Sequence, residues 1–228
     1  FNKKLKDMQR YMYGFFALTI TVNMFITGGR SGQVAFFIIA SILIFQLYGK
    51  NLKALLFSIL MILGVFFTAY NNSALFSERF DSIEHDISNY DNFKDTSVGL
   101  RLTFAIHSWE IIKNNVFIGV GTGDFPNEYK KINMSKTPKL ASARNPHNMY
   151  ILILTQLGLF GLFTLLYMFY VQFRIALISE NKFLKDVGLI LPILFLIIMW
   201  SDSYLLGHYT TLMFVFFSSF LYKDFEKP

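Results

Sequence analysis

Residues 149–173 read MYILILTQLGLFGLFTLLYMFYVQF, a run without a single charge. A bilayer core about 30 Å thick is crossed by roughly 20 apolar helical residues, so the run is long enough to span. It lacks the period-2 alternation of a membrane β-strand. Unpaired backbone is costly in lipid, which leaves a helix as the expected form. Five other stretches are of the same kind: 11–27, 32–49, 52–70, 186–201 and 205–222. The expected fold is therefore all-α, a polytopic membrane bundle with six spans. It divides into three spans over 1–70, a long loop over 71–148, and three spans over 149–228.

Composition agrees. Of 228 residues, 54% are hydrophobic, 27 are Phe and only 16% are charged; a soluble domain carries about 25% charged residues. Mean hydropathy is +0.42. There is no cysteine, which excludes disulfides, thiol catalysis and cysteine-ligated metals. The chain opens on Phe1 within a basic stretch, as expected for the C-terminal part of a longer protein, and its first apolar run lacks the small-residue cleavage site of a signal peptide.

Lysine and arginine set the orientation. Lys3, Lys4, Lys6 and Arg10 precede the first span, and Lys50 and Lys53 separate the second and third. Arg174, Lys182 and Lys185 separate the fourth and fifth, and Lys223 and Lys227 follow the sixth. With six spans all of these fall on one face, the cytoplasmic one. Outside the long loop the exception is Arg30.

The loop over 71–148 then lies on the outer face. Residues 73–95 hold six acids and two bases, and residues 96–148 three acids and seven bases. Loops of this length are functional or disordered. Aromatic and aliphatic residues recur throughout, so a partly helical, ordered cap is expected.

Four places on the outer face stand out. In ITGGRSGQ, Arg30 follows two glycines; a turn explains the glycines, whereas an arginine at membrane depth normally faces a cavity or partner. In TSVGLRLTFAIHSWEIIKNN, Thr96 or Ser97 can cap a helix of about 15 residues. There Leu102, Ala105, Ile106, Trp109 and Ile112 form an apolar stripe, with Arg101 on a neighbouring face. In FIGVGTGDFPNEYKK the spaced glycines read as a backbone turn, because no Lys-Ser/Thr follows and Pro126 comes too soon for a nucleotide loop.

The fourth place is KLASARNPHN, directly before the opening run. Asn145 suits an N-cap and Pro146 the first helical position. His147 would then stand in the first turn, where the positive helix end keeps imidazole neutral and able to accept a proton. Arg144 and the free N–H groups would attract an anion. Asn148 and Trp109 are candidate pocket residues, as are Asp202 and His208, which flank the short turn between the last two spans. His85 and His107 read as ordinary surface or cap residues. No D-x-D, H-E-x-x-H or clustered ligand spacing points to a metal. Neither a cofactor nor nucleic acid is expected. Ionisable groups do not run through the middle of the spans, which argues against an ion-coupled pump.

RLTFAIHSWEIIKNNVFIGVGTGDF followed by PHNMYILILTQLGLFGL, together with the hairpin arginine, resembles the C-terminal region of the O-antigen ligase and O-antigen polymerase superfamily over roughly residues 20–165. One departure is Val116, where members often have proline before the glycine turn. The resemblance implies the second half of a larger helical fold in the bacterial cytoplasmic (inner) membrane. It implies a glycan donor on undecaprenyl diphosphate, acceptors such as lipid A-core, a growing glycan or a protein, and metal-independent transfer outside the cytoplasm. Residue by residue, it implies that Arg30 and Arg101 hold the diphosphate and that His147 activates the acceptor hydroxyl. Two rivals stand beside it: a polysaccharide flippase or exporter, and a non-catalytic subunit of an envelope complex.

Overall fold

The computed structural model describes residues 2–26, 30–48, 52–72 and 74–223. Among these, all regular structure is helical, in nine helices. Two compact units divide the chain near residue 80.

The first unit holds α1 (Asn2–Ile26), α2 (Arg30–Tyr48), α3 (Leu52–Asn72) and the start of α4 (Ala74–Ser88). The expected spans 11–27 and 32–49 coincide with α1 and α2 up to residues 26 and 48, residues 27 and 49 lying outside those described, 52–70 falls inside α3, and α1 extends through the basic N-terminal segment. Packing is closest between α2 and α3. Hydroxyls within the helices, such as those of Thr21 and Ser41, donate back to carbonyls four residues earlier, which hides their polarity in an apolar setting.

The second unit contains α5 (Ser97–Asn114), α6 (Phe125–Lys136), α7 (Met149–Ile178), α8 (Lys182–Ile198) and α9 (His208–Leu221). Of the described helices, α7 is the one long and apolar enough to cross a membrane; Gly32–Ile44 and Tyr209–Leu221 are shorter apolar segments. The all-helical expectation therefore holds, and among the described helices α7 is a candidate span by length and composition.

Packing among α7, α8 and α9 centres on Phe169, Phe195 and Phe214, all buried. The rings of Phe195 and Phe214 lie 4.6 Å apart. Pro192 interrupts α8 and cannot donate to the carbonyl four residues back, which belongs to Gly188. Tyr222 fills that vacancy, its hydroxyl donating to Gly188 O at 2.7 Å.

The expected single helix of α7 is broken at Gly158, which has φ 62° and ψ −158°. Four groups at the break bond instead to the segment after α5. Leu159 N–H donates to Val116 O at 2.9 Å and Phe160 N–H to Phe117 O at 3.2 Å. In return Val120 N–H donates to Thr155 O at 2.9 Å and Gly121 N–H to Gln156 O at 3.0 Å. The glycine turn thus supplies partners for the backbone groups that the break would leave open in a buried setting.

Candidate functional site at the start of α7

Two strands of contact tie the N-terminus of α7 to the C-terminus of α8. Met149 N–H donates to Met199 O at 2.9 Å, and Tyr150 hydroxyl donates to Leu196 O at 2.6 Å. Asn148 is the N-cap: its Oδ1 accepts from Ile151 N–H at 3.1 Å, and its Nδ2 donates to Trp200 O at 3.1 Å. Both ends of its amide are therefore engaged at the junction.

The expected cap at Asn145, with Pro146 opening the helix, is displaced by three residues. Asn145 Oδ1 instead accepts from His147 N–H at 2.8 Å, closing a short side-chain turn. Pro146 is fully buried. His147 precedes the helix with φ 50°, a left-handed conformation that costs a non-glycine residue energy. α7 begins two residues later, and of the N–H groups expected to attract an anion Met149 N–H is bonded to Met199 O and Ile151 N–H to Asn148 Oδ1.

What the junction offers is an oriented imidazole. His147 Nδ1 lies 3.1 Å from Asp202 Oδ1, and that oxygen also accepts from Ser203 N–H at 2.7 Å. A carboxylate at Nδ1 favours the tautomer protonated there, leaving the Nε2 lone pair outward as an acceptor. Phe104 of α5 stacks on the ring, centroids 5.8 Å apart and planes at 25°. Both side chains are about 40% accessible, 42% for His147 and 40% for Asp202, so the pair borders solvent.

α5 is placed by its N-cap Thr96, whose side chain accepts from Gly99 N–H at 3.1 Å. Its buried face carries Thr103, Phe104, His107, Ser108, Ile111 and Ile112. The expected stripe divides: Ile112 joins this core, whereas Ile106 is 43% and Trp109 54% exposed. Arg101 is exposed and stands one turn before Phe104, among neighbours on a helix surface. Arg144 is also exposed, three residues before His147. Among the described residues neither arginine forms an ion pair. Arg30 opens α2 and His208 opens α9, but both side chains lie outside what is described.

His107, expected as an ordinary surface or cap residue, is buried at 3% exposure. Burial lowers its pKa. Its Nδ1, Ser108 Oγ and Tyr129 hydroxyl have no hydrogen-bond partner among the described residues. Tyr129, 5.5 Å from the His107 ring, has its pKa pushed up to about 12, also by burial. Nothing in the sequence marks this interior; the Thr103/His107/Ser108 spacing reads equally as a wet face. A separate groove between α7 and α9, lined by Tyr167, Gln172, Phe214 and Ser218, begins 20 residues along α7 from His147, about 30 Å away, and belongs to a different level of the molecule.

The O-antigen ligase family model matches residues 15–166. The chain belongs to the O-antigen ligase family. Membership makes it a membrane glycosyltransferase of the ligase or polymerase type, a bacterial inner-membrane group that uses lipid-linked glycans and acceptors. The matched part of this O-antigen ligase family chain includes Arg30, Arg101, Arg144 and His147 and ends inside α7, past the break; Asp202 lies beyond it. No curated protein matches the chain.

Proposed function

We propose that the protein transfers or polymerises a glycan from undecaprenyl diphosphate onto an acceptor hydroxyl at the outer face of the cytoplasmic membrane, with inversion and without a metal. The reading includes six spans and an outer cap formed by 71–148. The observation that carries it is the His147–Asp202 pair at 3.1 Å, held by Phe104 and open to solvent.

His147 Nε2 takes the proton of the acceptor hydroxyl as its oxygen attacks the anomeric carbon. The bond from that carbon to the diphosphate oxygen breaks, and its electron pair leaves with the lipid diphosphate. Asp202 stabilises the imidazolium that forms. Such general-base catalysis is worth roughly 10²–10⁴ in rate. Arg101, Arg144 and Arg30 are assigned to the diphosphate. Guanidinium forks bind phosphate oxygens bidentately and keep their charge near lipid. Cations held against the diphosphate stabilise the leaving charge, which is the basis for the metal-independent reading.

The test incubates full-length protein with an undecaprenyl-diphosphate glycan and, separately, lipid A-core, a glycan acceptor and a protein acceptor. Product with inverted anomeric configuration in the presence of chelator is expected from one class. Transport of the donor across vesicles with no product from any acceptor would instead establish the exporter.

A further inference from the structure

The loop seated in the α7 break points two large apolar side chains outward. Phe117 is 66% and Ile118 75% exposed, while the carbonyls of Val116 and Phe117 are fixed on α7. Their level along α7 is defined by the exposure of that helix. Before the break α7 is packed in protein, with Met149, Leu152 and Thr155 buried. From the break onward one face, with Phe169 and Ala176, stays packed, while another turns large apolar groups outward from Leu159 and Phe160 to Ile178. That belt of about 20 residues is roughly 30 Å long, the thickness of one hydrocarbon core. The break therefore marks one edge of the belt.

The helix leading into the loop adds a second sign. Ile106 and Trp109 are exposed on α5, and Lys113 Nζ lies 5.9 Å from the Trp109 ring. Tryptophan beside a lysine that can reach outward is the pattern of a membrane–water interface.

We propose that residues 116–118 form a membrane-dipping loop. Phe117 and Ile118 enter the acyl chains of the leaflet at the α7 break, and Trp109 sits at headgroup level. The loop fixes the height of α5, and so of Phe104 and His147, above the bilayer. The carbonyls of Val116 and Phe117 are bonded to Leu159 and Phe160 N–H, which removes two acceptors from the backbone that meets lipid; the N–H groups of this short turn lie at headgroup level, within reach of water. The inference rests on α7 spanning the membrane but not on the proposed chemistry.

The sequence has no cysteine, so single nitroxide labels are readily placed. Full-length protein carrying F117C, I118C, F163C or K130C is labelled in phosphatidylethanolamine/phosphatidylglycerol bilayers. Collision with oxygen is compared with collision with a water-soluble nickel chelate. Labels at 117 and 118 are expected to favour oxygen, as at 163 on the α7 belt, with the reverse at 130 on α6. Nickel-dominated values at 117 and 118 overturn the proposal. So does shielding from both reagents, which would mean another protein surface covers the loop, and so does a water-like label at 163. Should a label distort the loop, reaction of the same cysteines with an impermeant maleimide in cells replaces it: 117 and 118 protected and 130 modified support the loop, and modification at all three refutes it. Transfer activity is recorded in parallel; its failure bears on the catalytic proposal, and the depth readings bear on this one.

Discussion

Replacing Gly158 by alanine should open the seam between the broken helix and its loop. A Cβ there would stand 2.3 Å from both C and O of Phe117, where ordinary contact begins at 3.4 Å. The two backbones must separate by about 1.1 Å to relieve it, which carries bonds of 2.9 Å to about 4 Å, beyond hydrogen-bonding range. Four seam bonds at about 1 kcal/mol each, plus about 1 kcal/mol for alanine at positive φ, amount to roughly 5 kcal/mol. That equals the lower end of a domain's whole stability, about 5–15 kcal/mol. Gly119→Ala should behave alike, since its Cβ would meet Gln156 C at 2.3 Å from the opposite side. Gly123 isolates the strain: its φ is +86° with nothing within 4 Å, so alanine there should cost only about 1–2 kcal/mol. Amide hydrogen exchange in the full-length protein reads the outcome at Val120, Gly121, Leu159 and Phe160. Loss of about 4 kcal/mol accelerates exchange from the opened state about 10³-fold. The double variant should be little worse than either single one, because both break the same seam. Exchange in Gly158→Ala no faster than in Gly123→Ala would refute the reasoning.

Three further outcomes are expected. His147→Ala should abolish glycan transfer while protein remains in the membrane, and Asp202→Asn should lower kcat by about 10²–10³ through loss of the oriented tautomer and of imidazolium stabilisation; wild-type rates in either, measured with radiolabelled lipid-linked donor, remove that residue from the mechanism. Arg101→Ala should raise KM for the donor by more than tenfold, with Arg101→Lys restoring little of it, since lysine lacks the bidentate fork; full rescue by lysine would reduce the role to simple charge. Burial lowers the His107 pKa, so the unfolded chain takes up a proton near the ordinary value of about 6.5 that the folded chain does not. Stability should therefore fall as pH drops through that range, by at most about 1.4 kcal/mol per unit. Melting curves of His107→Gln should be flatter from pH 7 to pH 5 than those of wild type, and equal slopes would exclude His107 as the cause.

The helices were legible because their signal is local. Apolar runs at 11–27, 32–49, 52–70, 149–173, 186–201 and 205–222 each fall largely inside an observed helix, and Thr96 capped the loop helix as its side chain allows. Legibility ended where the chain had to choose among equivalent faces. On α5, Leu102, Ala105, Ile106, Trp109 and Ile112 make the apolar stripe, yet of these Ile112 is buried while Ile106 and Trp109 are exposed, and Thr103, Phe104, His107 and Ser108 face the interior. If Trp109 and its neighbours meet lipid, the usual rule of apolar inside reverses its sense for that helix.

By itself the sequence determined where the long apolar helices and α5 form, though not α4 or α6, and which residue types gather at the start of α7, because composition and periodicity act over a few neighbouring residues. Only the tertiary structure decided that Asp202, 55 residues from His147, would be its partner, and that Gly158 would break α7 to receive residues 116–121. Those outcomes depend on which surfaces close against each other: a carboxylate and an imidazole meet because α7 and α8 are bonded end to end, and a glycine takes positive φ because another backbone occupies the space where its Cβ would be.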